Sequence, residues 1–268
     1  MKAKSFIKLF LPPIILAFFK KIIYSQYGWH GNYSSWEEAK RNSSGYDDET
    51  ILKKVKESLL KVKNGESVYE RDSVLFDKIE YSWPLLSGLL LASSINRGDL
   101  SVLDFGGSLG STYFQNRNFL DLLPHLSWNI IEQPHFVKEG RKYFQDEKLH
   151  FYEDIETCIM KEKPIALVLS SVLPYLEKPY EKLEKLLSYN FSFVIIDRTP
   201  FHNKDYDRIT VQKVPPSIYR ASYPCYIFNK QKFLSFFQMR GYSLIEEFDA
   251  LAGKREIYED RGFIWMKK

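Results

Sequence analysis

The sequence is sparing with cysteine, has no paired histidines and contains no apolar run long enough to span a bilayer. Its two cysteines, Cys158 and Cys225, follow no zinc or redox spacing, which fits a reducing compartment. Five histidines are scattered without an HxH or HxxxH pair, so the pattern gives no metal site. The longest uninterrupted apolar run, Leu9–Phe19, falls well short of the ~20 residues a spanning helix needs. Acids are missing from residues 1–25, where Lys2, Lys4, Lys8, Lys20 and Lys21 supply the whole formal net charge of +4 and leave the rest near neutrality. Basic character is therefore local, which argues against a nucleic-acid partner, since that needs a basic face on the folded domain.

What is present is a great deal of aromatic side chain: 20 Phe, 18 Tyr and 5 Trp, enough for a sizeable core in a chain of 268 residues. In "MKAKSFIKLFLPPIILAFFKKIIYS", Pro12 and Pro13 interrupt the apolar stretch, and no small-residue cleavage site follows it, which argues against a secretory signal. From Pro13 onward Ile15, Phe18, Phe19, Ile22 and Ile23 share a helical side flanked by Lys20 and Lys21. That profile predicts a helix lying in a membrane interface; the alternative is packing on the chain's own core or on a twin subunit.

Residues 26–48 read as an irregular lead-in. Ile51, Val55, Leu59 and Val62 repeat at helical spacing, predicting an amphipathic helix over Glu49–Val62, and Pro84–Asn96 predicts a helix buried on nearly all sides. Strand-like and helix-like runs then alternate from Ser101–Phe105 to Phe191–Asp197. A long proline-bearing connection reaches about Phe228, then come a helix, Lys230–Met239, and two last strands, Tyr242–Phe248 and Gly262–Met266. This is the pattern of an α/β, Rossmann-like domain: a mostly parallel seven-stranded sheet with helices on both faces, here with an N-terminal helical extension. The expected division is 1–25, a helix that associates with a membrane or with protein; 26–96, a helical lead-in or cap; and 97–268, the ligand-binding domain.

In "SVLDFGGSLGSTYF" a strand ends in Asp104 and meets Gly106, Gly107 and Gly110 before a helix. The spacing is one residue short of the dinucleotide pattern, and no lysine follows Gly110 as a P-loop would need. It resembles the S-adenosylmethionine (SAM) turn of methyltransferases, with Ser108 in place of the middle glycine. SAM has a cationic tail and no phosphate, so a nearby acid is tolerated where it would repel a pyrophosphate, and the glycines let backbone approach the ligand. Glu132, 28 residues after Asp104, ends the second strand, where an acid accepts from ribose hydroxyls. Each acid also has a plainer reading, Glu132 as a strand-end acid and Asp154 as a helix cap.

The chain from about residue 28 onward resembles a family of SAM-dependent methyltransferases encoded among bacterial surface-polysaccharide and lipopolysaccharide genes. The resemblance is carried by "GWHGNYSSWEEA", "LDFGGSLGSTYFQNR", "WNIIEQP", "LSSVLPYLEKP", "IIDRTPF" and "VPPSIYRASYPCYIFN". It implies a class I methyltransferase fold with SAM held by Asp104, Gly106, Gly107, Gly110, Glu132, Asp154 (at the adenine amino group) and Ser170. The turn Ser170–Tyr175 would lie beside the sulfonium, with Tyr175 as a catalytic candidate or core filler. Asp197, Arg198 and His202 leave strand five at the carboxyl edge, where an acceptor would sit. His202 is the expected base, and Arg198 either pairs with Asp207 or clamps an anionic acceptor. Tyr219, Tyr223 and Tyr226 would form a substrate wall or a rigid buried loop. The expected partner is a small-molecule or lipid-linked glycan, with no nucleic acid and no metal; residues 1–25 add peripheral contact at the inner membrane of a cytoplasmic protein, or a homodimer contact. The rival reading is a non-catalytic nucleotide-binding or assembly protein that keeps the fold.

Overall fold

The computed structural model describes residues 26–45, 48–255 and 258–268, so the expected helix within residues 1–25 lies outside the described residues. The chain divides into two compact units, Met1–Asp47 with Ile209–Cys225, and Asp48–Arg208 with Tyr226–Lys268. The boundary expected near residue 96 is not where this division falls. The first unit holds β1 (Gly28–Tyr33), α1 (Trp36–Arg41) and β9 (Arg208–Lys213), with β1 antiparallel to β9. Ser35 caps α1 by accepting from the Glu38 amide at 3.1 Å, and the Trp29 indole donates to Cys225 Sγ at 3.0 Å.

The second unit opens with α2 (Asp48–Lys63), the short hairpin β2 (Tyr69–Arg71) and β3 (Val74–Phe76), and α3 (Trp83–Ile95). Then follow β4 (Asp99–Phe105), α4 (Ser111–Leu120), β5 (His125–Ile131), α5 (Pro134–Tyr143), β6 (Leu149–Tyr152), α6 (Ile155–Glu162) and β7 (Ala166–Ser170). A single 3-10 turn (Leu173–Tyr175) leads to α7 (Pro179–Leu187) and β8 (Phe193–His202). The chain ends with β10 (Ser222–Asn229), α8 (Lys230–Gln238), β11 (Tyr242–Arg255) and β12 (Tyr258–Lys267).

Seven strands lie in the order β6-β5-β4-β7-β8-β12-β11, parallel through β8, with β12 antiparallel to both of its neighbours. This is the mostly parallel sheet read from the alternation of elements. Strand parity sorts its faces. Leu103, Leu167, Leu169, Val194 and Ile196 point to a core shared with Ile155, Leu183, Phe233 and Phe237 of α6, α7 and α8. Ile195 and Ile264, of opposite parity, meet Gly88 of α3.

The expected burial of α3 on nearly all sides is corrected. Leu85, Leu86 and Leu89 are buried, whereas Trp83, Leu90, Leu91 and Ile95 are exposed. The expected long connection after Asp197 is also corrected: β8 continues to His202, and β9 and β10 follow. Beyond the end of β7, β8 gains a parallel partner, with Phe228 opposite Phe201 and Asn229 opposite His202. No described helix is long and apolar enough to cross a membrane.

Candidate functional site

The site is built where β4, β5 and β7 end, beside Asp197 and Arg198 in the middle of β8. After Phe105 the chain turns through Gly106 (φ +71°), whose amide donates to Ile131 O at 2.9 Å and ties the turn to the end of β5. A Cβ on Gly106 would lie 2.4 Å from Val172 Cγ2, and one on Gly107 would lie 2.4 Å from Asp104 Oδ2. Only glycine fits at either point. Ser108, where the family pattern has glycine, takes φ +55°, and its amide donates to Glu132 Oε1 at 3.2 Å. Glu132 Oε2 accepts from the Gln133 amide at 2.9 Å, so the carboxylate is fixed against the turn.

Asp104 lies beneath this turn and is 1% exposed. The Trp128 indole donates to its Oδ2 at 3.1 Å, while the buried Oδ1 has no hydrogen-bond partner among the described residues. Burial pushes its carboxyl up to about 7, helped by the charge of Glu132 and opposed by Trp128 and Arg198. Asp197, 3% exposed at the end of the β7–β8 pairing, accepts at Oδ1 from the Arg198 amide at 2.9 Å. Burial pushes it to about 6, against Arg198, Ser82 and Arg71.

The hairpin β2–β3 supplies residues that sequence reasoning missed. Glu70, 2% exposed, accepts from the Ser111 hydroxyl at the first residue of α4 and from the Ser73 amide at 3.1 Å. Burial raises its carboxyl to about 7. Asp72 accepts from Arg198 Nη1 at 3.2 Å through each oxygen, and Arg198 Nε donates to Ser170 Oγ at 3.3 Å. Burial works against the Arg198 charge, but Asp72 and Asp197 more than offset it and raise its pKa. The one available signal was "YERDS", an acid-rich segment between helices, which carries no motif.

Backbone strain gathers at the same place. Among the described residues eight non-glycines have φ in the left-handed region, and five of them (Asp72, Ser73, Ser108, Ser171 and Arg198) belong to this hairpin, this turn, the end of β7 or the stretch of β8 beside it. Such conformations cost about 1–3 kcal/mol each and persist where surrounding structure imposes them.

The structure thus brings Asp104, Gly106, Gly107, Glu132, Ser170, Asp197 and Arg198 to one edge, with Gly110 (φ +104°) as the N-cap of α4. Tyr175 is half-buried in the 3-10 turn after β7. Asp154 caps α6, accepting from the Thr157 amide at 2.7 Å, and this bond holds its carboxyl below the ordinary range.

His202 is the last residue of β8, five residues beyond Asp197. Its Nδ1 accepts from the Lys204 amide at 3.0 Å, and burial, then the Lys204 charge, hold its pKa down. The expected pairing of Arg198 with Asp207 is corrected: Arg198 pairs with Asp72, while Asp207 pairs with Lys232. Tyr226 stacks on Phe228 with centroids 5.7 Å apart, and its hydroxyl donates to Glu177 O.

No family model and no curated protein matches the chain. Among solved structures it is similar to the N-terminal domain of EvdMO1 in the presence of S-adenosylhomocysteine (SAH) and D-fucose (13% identity, 83% of this chain and 98% of that one, TM-score 0.46). It is likewise similar to the glycopeptide N-methyltransferase MtfA complexed with sinefungin (10%, 69% and 94%, 0.47). A third is magnesium protoporphyrin IX methyltransferase from Synechocystis PCC 6803 with bound SAM (13%, 84% and 99%, 0.45). These are likenesses of backbone arrangement, and the chemistry below is argued from the chain's own residues.

Proposed function

We propose that this chain is a SAM-dependent methyltransferase whose acceptor is a small or lipid-linked sugar metabolite, as its resemblance to the surface-polysaccharide family implies. The observation that carries the cofactor reading is Glu70. A dinucleotide or nucleotide phosphate would sit at the N-terminus of the helix after the glycine turn. Here a buried protein carboxylate already holds Ser111 at that position, and Asp104 lies under the turn. Both repel phosphate and favour a cation.

The residues fit SAM. Gly106 and Gly107 keep the turn free of side chains where a Cβ would collide with Val172 and Asp104, and Asp104 Oδ1 is a buried acceptor without a partner among the described residues. Glu132 would take the ribose hydroxyls from its fixed position, and Ser170 and Tyr175 would border the transfer point. When bound, SAM supplies an electrophilic methyl group. The chain's part is to align donor and acceptor and exclude water. Asp197, whose carboxyl sits near 6, is the group at this edge suited to accept a proton from a hydroxyl acceptor. Arg198, already paired with Asp72, reads as a positioning residue rather than an anion clamp.

Calorimetry tests the cofactor: SAM or SAH should bind in the micromolar range, near −8 kcal/mol at ~1 μM, and NAD much more weakly. Glu132→Ala should weaken SAM binding by about 1–3 kcal/mol. Tight NAD binding without SAM binding overturns the proposal. Labelled methyl transfer from SAM into extracts of sugar nucleotides and lipid-linked glycans separates enzyme from binder.

A further inference from the structure

Three carboxyl groups at the carboxyl edge, those of Asp104, Asp197 and Glu70, are nearly or wholly withdrawn from water. Asp104 feels Arg198, Glu132 and the Trp128 N–H; Asp197 feels Arg198, Arg71 and Ser82; Glu70 feels Arg198, Asp72, Ser111 and Ser73. Arg198 is common to all three, yet its Nη1 is already held by the two oxygens of Asp72. Arg71, the second guanidinium, pairs with Glu80 at 3.2 Å. Among the described residues both guanidiniums are therefore already engaged by other carboxylates, and the buried Oδ1 of Asp104 is left without a hydrogen-bond partner.

We propose that Asp104, Asp197 and Glu70 together read the net charge of the cofactor, holding cationic SAM and releasing its neutral product SAH. The inference rests on the methyltransferase reading. SAM carries a sulfonium, an ammonium and a carboxylate, and so one net positive charge. Methyl transfer leaves the S–C bonding pair on sulfur as the acceptor loses its proton, so SAH is net neutral. Asp104 acts here from beneath the turn, through its field across a buried, poorly screened distance, rather than by touching the ligand. Asp104 and Glu70 are positioning groups for charge, and Asp197 adds its charge to theirs besides its part as proton acceptor.

Proton linkage follows. In the free chain burial keeps these carboxyls partly protonated near neutrality. A bound cation favours their ionised form, so SAM binding expels protons and strengthens as pH rises. Each proton released allows up to about a ten-fold gain per pH unit. SAH, without the sulfonium charge, gains less.

The test is calorimetry of the full chain with SAM and with SAH from pH 5.5 to 8.5, in two buffers of different ionisation enthalpy. The SAM-to-SAH affinity ratio should rise at least about ten-fold across this range, with proton release on SAM binding near pH 6.5. Glu70→Gln should flatten the rise while keeping the shape of the Ser111 contact, and Asp104→Asn should do the same by an independent route. A ratio that does not change with pH, or that is unchanged in a folded Glu70→Gln and a folded Asp104→Asn chain, overturns charge reading while leaving the methyltransferase proposal intact. Binding of neither compound overturns the cofactor reading and the inference with it.

Discussion

On the face covered by α6, α7 and α8 the sheet meets carbon; at its carboxyl edge it meets charge. Phe201, Phe228, Phe233 and Phe263 are packed there with centroids 5.0–6.1 Å apart, each 2% exposed or less. None of these four has a left-handed backbone. At the edge, buried carboxyls outnumber their cations and five non-glycine residues are held in left-handed conformations. The aromatic face is a source of stability, and the edge draws on it. Natural proteins break local rules where function needs it, and the surrounding core must compensate.

That contrast can be broken most forcefully on the apolar side. Phe233→Ala should cost about 3–5 kcal/mol in urea unfolding, through lost burial and a residual cavity. SAM affinity of the molecules that remain folded should be unchanged. A loss of affinity at full stability would join the two regions functionally and defeat the contrast.

A smaller effect comes from pH on the charged side. The folded-state carboxyls of Asp104 and Glu70 lie near 7 and that of Asp197 near 6, above their ordinary unfolded values. The folded chain therefore binds more protons than the unfolded chain between pH 4 and 7. Their contribution to stability is greatest below about pH 4 and is lost as pH rises through 6 and 7. Urea midpoints should fall from pH 5.5 to 8 by the equivalent of at least about 1 kcal/mol, and Asp104→Asn should shrink the fall. A midpoint that rises over this range would show that the carboxyls are not buried as acids.

The smallest effect sharpens one residue. Asp154→Ala removes the cap of α6 and should lower Tm by about 2–4 °C. If SAM affinity is unaffected, the cap is the whole role of Asp154; if affinity drops, the carboxylate serves the ligand as well.

The alternation that revealed the parallel sheet was legible because each buried strand is a short apolar run between polar helices, as in "IALVLSS". The pairing of the glycine turn with Glu132 was legible for a similar reason, since both follow such runs directly. The hairpin carrying Glu70 was not. Its strands are three residues long, and Asp72–Ser73 fills a turn with two positive φ values where Asn-Gly would have been the signal. The extension of β8 to His202 was hidden because Pro200 argues against a continuing strand, yet the strand runs through it with Asp260 opposite. Pro224 hid β10 in the same way. Asp154 was read in both of its roles, and the cap is the one its bond to Thr157 displays.

The indole of Trp128 is wholly buried, and its N–H ends on Asp104 Oδ2. An excited indole is sensitive to a charge placed at its nitrogen, so Trp128 is an optical probe already wired to that acid. Its emission maximum should follow whether Asp104 holds a proton, and a fluorimeter can watch the buried electrostatics of this chain without a label, an acceptor or a turnover assay.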